Sequence, residues 1–104
     1  MNKRKGIDEL TTILCRALRH KIGSILMKDE FYASKYARDY ETLLNAARKV
    51  LDDFNSNKQD KAILREILKT KLKKELEEKD FIDKKKFEIM DAEMEKTLAE
   101  LEIS

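Results

Sequence analysis

The sequence predicts an all-α fold, an antiparallel bundle of three to four amphipathic helices, on three observations. Apolar residues recur at helical spacing in long runs. Proline is absent, and glycine occurs only at Gly6 and Gly23, too few turn-formers for a β-rich chain of 104 residues. Charged residues are 42% of the chain, mostly Lys and Glu, which favour helix. With 41% apolar residues, residues 1–104 read as a single helical domain with an adequate but modest core. Residues 1–6 are expected to form a flexible basic arm.

The first helix is expected from about Ile7 or Asp8 to about Ile22. Ile7, Leu10, Leu14, Leu18, Ile22 and Ile25 share one face. Asp8 and Glu9 fall near its positive pole, and Arg19, His20 and Lys21 near its negative pole, the favourable order. Gly23 suits the left-handed position just past a helix end.

Asp29 is a good N-cap for the second helix. Ala33, Tyr36, Tyr40, Leu43, Ala47, Val50 and Phe54 follow at alternating steps of three and four. A flanking row at Ala37, Leu44 and Leu51 widens this stripe. A face that wide needs cover from more than one side, so this helix is expected at the centre of the fold.

Asn55-Ser56-Asn57 marks a turn. The third helix then starts near Lys58 and carries Ile63, Leu64, Ile67, Leu68, Leu72 and Leu76, a stripe that thins toward its end. No Gly or Pro interrupts residues 77–86. The last apolar set, Phe87, Met90, Met94, Leu98 and Leu101, lies about 70° around from the third-helix stripe, more drift than a continuous helix shows. We therefore expect a break near Asp80, with Asp80 capping a new helix and Asp83 three residues on. The alternative is one helix from Lys58 to about Glu102, roughly 65 Å long, which would imply a dimer.

The net charge of +2 conceals a pattern. Residues 1–28 hold seven Lys/Arg against two Asp/Glu, and residues 87–104 hold one against six. Such segments are expected side by side, opposite charge helping to set helix orientation. Residues 58–86, with eleven against seven, are basic as well.

Several chemistries lack their residues. Cys15 is the only cysteine and His20 the only histidine, so one chain cannot supply a structural zinc site. The two diverge by roughly 140° around a helix, which disfavours a nucleophile and base. No Glu-x-x-His supports a di-iron bundle. Asp53-x-Asn55-x-Asn57 begins like a calcium loop, but Lys58 stands where Gly is needed and Leu64 where Glu is needed. Gly6 and Gly23 stand alone, so no glycine loop cradles phosphate. No cofactor and no small-molecule substrate is indicated. Tyr32, Tyr36 and Tyr40 could stack bases, with Lys35 and Arg38 adjacent. Tyr36 and Tyr40 lie on the core-facing row, which favours packing, and Tyr32 lies at its edge.

Ile7 through Ile25 present only aliphatics where a membrane-surface helix carries Trp or Phe, and no apolar run spans a bilayer. A lone cysteine and no signal-peptide core suit a reducing, cytoplasmic setting. The leading expectation is a non-catalytic protein–protein interaction protein. Its partner would be another copy or a helical protein, met through Leu72, Leu76, Phe87, Met90, Met94, Leu98 and Leu101. The alternative is an accessory nucleic-acid-binding protein using Lys3, Arg4, Lys5, Arg16, Arg19, Lys69 and Lys73.

Overall fold

A computed structural model describes residues 3–54 and 57–103. Four helices follow one another: α1 (Lys3–Leu26), α2 (Glu30–Asp52), α3 (Lys58–Glu78) and α4 (Lys86–Glu100). The described residues contain no strand. The fold is all-α, as composition and periodicity predict.

The caps are local and chemically legible. Asp29 Oδ1 accepts from the backbone N–H groups of Phe31 and Tyr32 at 2.9 and 3.3 Å, starting α2. Asn57 and Asp60 form a reciprocal capping box at the start of α3, with bonds of 2.9 and 3.1 Å. The expected turn at 55–57 lies outside the described residues except for Asn57. The helix breaks over 79–85, as expected, so the single long helix does not form. Asp80 is not the cap, however. Asp83 Oδ1 accepts from Lys85 N–H at 2.9 Å in the turn before α4, and the buried Lys86 donates to the Lys79 carbonyl at 2.8 Å. That bond places a cation on the negative pole of α3.

Side-chain pairs set the directions. Lys3 meets Asp60 at the start of α3, and Arg19 meets Glu75 near its end, so α1 and α3 run parallel. Arg65–Glu95 and Lys69–Asp91 run α4 antiparallel to α3. The topology is up-down-up-down. The α1–α2 turn and the α3–α4 loop therefore share one end, hereafter the turn end. The starts of α1 and α3 lie at the other.

The centre is α1, not α2. It packs against all three other helices, whereas α2 packs its backbone closely on α1 alone. The body is 40 Å long, and 24 residues of helix span about 36 Å, so α1 runs nearly end to end. The core joins Leu10, Leu14, Leu18 and Ile22 of α1 to Leu44 of α2, Leu64, Leu68, Leu72 and Leu76 of α3, and Met94 and Leu98 of α4.

Two expectations for α1 need correction. Its helix begins at Lys3, so residues 3–6 are not a flexible arm; residues 1–2 lie outside the described set. Gly6 and Ile7 are buried, and Lys3 pairs with Asp60 at 3.2 Å, which docks this first turn onto α3. Gly23 does not end the helix and has no positive φ. It is a packing glycine: a Cβ there would lie 2.7 Å from Cδ2 of Tyr36. The left-handed residue is Glu102, with φ of 60°. It closes α4 as bonds run from Ile103 N–H to the Leu98 carbonyl and from Glu102 N–H to the Ala99 carbonyl, the Schellman pattern.

Candidate functional site

Large apolar side chains left on the surface cluster by topology. Ile25 ends α1, Phe31 and Tyr32 open α2, Phe81 sits in the α3–α4 loop, and Phe87 opens α4. All five lie at the turn end, and all are between 41% and 69% exposed. Local structure explains each. The Asp29 cap places Phe31 and Tyr32 in the first helical turn, before α2 gains cover, and their rings meet edge to face at 5.5 Å. Ile82 is buried while its neighbour Phe81 stays outside. Lys86 Nζ lies 5.2 Å from the Phe87 ring centre, a cation–π distance. Five such residues at one end exceed the scattered single exposures ordinary for a protein surface.

The residues expected to pair with another copy mostly pack inside the chain. Leu72, Leu76, Met90, Met94, Leu98 and Leu101 are buried in the core, and only Phe87 is on the surface. The break over 79–85 is the reason, because it folds α4 back onto α1 and α3. Polar residues accompany that face. Tyr40 Oη lies 3.0 Å from Thr97 Oγ1, a buried hydrogen bond between α2 and α4. Burial pushes the Tyr40 hydroxyl above its ordinary pKa, against the lowering effect of that bond and of Lys21. Glu93, almost fully buried, meets Lys21 at 3.3 Å and Lys96 at 3.0 Å. Burial works to raise its pKa, but hydrogen bonds from the two lysines and their charges outweigh that and hold it below the ordinary value. Nothing in the apolar spacing signals Glu93 or Thr97 as core residues.

The candidate nucleic-acid contacts fall into three separate places. Lys3, Arg4 and Lys5 line a groove between the starts of α1 and α3. Arg16 and Arg19 line a hollow between α1 and α2 with His20, Asp39 and Glu75. Lys69 and Lys73 lie on α3 beside Glu77. Carboxylates already hold three of the seven: Lys3 with Asp60, Arg19 with Glu75 at 3.2 Å, and Lys69 with Asp91 at 3.8 Å. The acidic α4 is partnered chiefly by α3 and α2, through Arg65 and Arg48 as well as Lys69; only Lys21 joins it to the basic first segment.

The only thiol is shielded. Burial first, then the charge of Glu75, raises the Cys15 pKa to about 11 against the lowering effect of Lys71, Arg19 and Arg16. It stays a thiol at neutral pH and is a poor nucleophile. His20 donates from Nδ1 to the Arg16 carbonyl at 2.8 Å, since a carbonyl can only accept, and its Nε2 lies 3.6 Å from Asp39. It joins α1 to α2 and aims at no nucleophile. Among the described residues, no group of three His, Cys, Asp or Glu side chains is placed to hold a metal ion. No described helix is long and apolar enough to cross a membrane.

No protein-family model matches this chain, no curated protein matches its sequence, and no solved structure matches its fold. The functional reading therefore rests on the residues themselves.

Proposed function

We propose that this protein is a non-catalytic helical interaction module that self-associates end to end. The contact is the turn end. The observation that supports this is the gathering of Ile25, Phe31, Tyr32, Phe81 and Phe87 on exposed positions there. Interfaces draw their energy from a few aromatic anchors within a polar rim. The rim here carries both signs, with Lys28, Lys35, Lys84 and Lys85 set among Glu30, Asp80 and Asp83. A mixed rim around an apolar centre can be self-complementary, as a two-fold contact requires. The contact differs in place from the one periodicity suggests, sharing only Phe87 with it.

Light scattering after size exclusion tests the reading. The wild type is expected to dimerise as concentration rises through the micromolar range. Phe31→Ser with Phe81→Ser should remain monomeric and keep its helical signal, because both side chains are exposed. A wild type that is monomeric throughout, or a dimer that the double substitution leaves intact, would sink the proposal.

A further inference from the structure

We infer that the groove between the starts of α1 and α3 receives an acidic amphipathic helix from a partner protein. The groove lies at the opposite end from the self-association surface and does not depend on it. Its volume is about 1050 Å³. Ile7, Ile63 and Ile67 supply the apolar lining. Ile63 and Ile67 are four residues apart and lie one above the other along α3. Ile63 is 43% exposed, although its neighbours Leu64 and Leu68 are in the core.

Charge decides the occupant. Lys3, Arg4 and Lys5 form the rim. They stand in the first turn of α1, which has no acidic residue. Three cations at the positive pole of a helix oppose its dipole, and local rules are broken in this way where a surface serves binding. The two carboxylates of the groove do not cancel them freely. Asp60 caps α3 and holds Lys3, and Asp8 is held by Lys71 at 3.1 Å. Lys71 also donates to Thr11 and Thr12, so that arrangement is fixed from within. A helix with an apolar row at i, i+4 and flanking glutamates matches both the isoleucine lining and the cationic rim. A nucleic acid matches less well. The lining holds no aromatic ring on which a base could stack, and phosphates would leave the isoleucines unused.

The experiment is fluorescence anisotropy with the full chain and a labelled synthetic helix of about four turns, with leucines at i, i+4 and glutamates beside them. A charge-reversed peptide with lysines, a single-stranded oligonucleotide and a duplex are the comparison probes. The acidic peptide is expected to bind, and Ile63→Glu to weaken it by roughly tenfold or more. Arg4→Glu with Lys5→Glu should weaken it too, with a smaller effect at high salt. These two substitutions also serve if Ile63→Glu alters the helical signal. Failure of the acidic peptide to bind, equal binding of the lysine peptide, or indifference to all three substitutions overturns the inference. Binding of either oligonucleotide without the acidic peptide overturns it in favour of phosphate recognition.

Discussion

α1 and α2 are close in length, 24 and 23 residues, and both are amphipathic. Ten residues of α1 are buried, and only four of α2. The four are Tyr40, Leu44, Ala47 and Val50, all in the second half of α2. Its first half carries Phe31 and Tyr32 into solvent. α1 buries Thr11 and Cys15 as well as its leucine row because neighbours cover it on several sides. The apolar width of a helix thus does not decide its place. The wider stripe belongs to the helix at the margin, and its uncovered part supplies the proposed interface.

The largest expected effect tests that contrast directly. Leu18→Ala removes a fully buried side chain from the centre of α1 and is expected to cost about 3 kcal/mol in denaturant unfolding. Phe31→Ser, on the exposed start of α2, should change stability by about 0.5 kcal/mol or less. Comparable losses from the two would mean that the start of α2 is as much core as α1.

A smaller effect probes where the two helices touch. Alanine at Gly23 gains about 1 kcal/mol of helix propensity, but its Cβ would meet the Tyr36 ring. That ring is also held edge to face against His20, with centres 5.3 Å apart. Gly23→Ala is therefore expected to destabilise by about 1 kcal/mol overall. In a Tyr36→Ala background the same change should stabilise instead. A sign that stays the same in both backgrounds would remove the close approach as the reason for glycine here.

These residues also mark how far the sequence could be read. Helix number and most boundaries were legible because caps act locally: Asp29 bonds the next turn, and Asn57 and Asp60 bond each other. The break before α4 was legible as a phase shift between Leu76 and Phe87. The location of the centre was not. Periodicity reports that a stripe needs cover, not which helix provides it. Leu72, Leu76, Met94 and Leu98 therefore read as readily as an interface as they do as a core. Gly23 carries the same composition cue whether it ends a helix or admits a ring. For the candidate site, Tyr32 at the stripe's edge and Phe87 were visible in advance. Phe81 was not, because its exposure depends on a loop that turns Ile82 inward. Lys3, Arg4 and Lys5 were visible as charge, but only the fold sets Ile63 and Ile67 beside them.

The finest difference between the helices is in their response to acid. α1 is held to its neighbours by carboxylates with lowered pKa. Lys21 reaches Glu93, and Lys3 reaches Asp60, whose pKa is lowered first by the Asn57 backbone hydrogen bond and then, against burial, by Lys3. A carboxyl group whose folded pKa lies below its unfolded value contributes stability above the unfolded value and loses it as pH falls through the folded one. The ordinary values are 4.5 for Glu93 and 3.8 for Asp60. The denaturation midpoint should therefore hold steady above about pH 5 and fall below it. Lys21→Met sharpens the assignment. At neutral pH it leaves a nearly buried carboxylate with Lys96 as its remaining partner, and in acid it leaves a neutral group that needs none. Wild type and variant should differ most at neutral pH and converge as Glu93 protonates. Parallel curves across the whole range would show that Lys21 holds α4 by the packing of its stem, not by its charge, and that the ion pair adds nothing to the central position of α1.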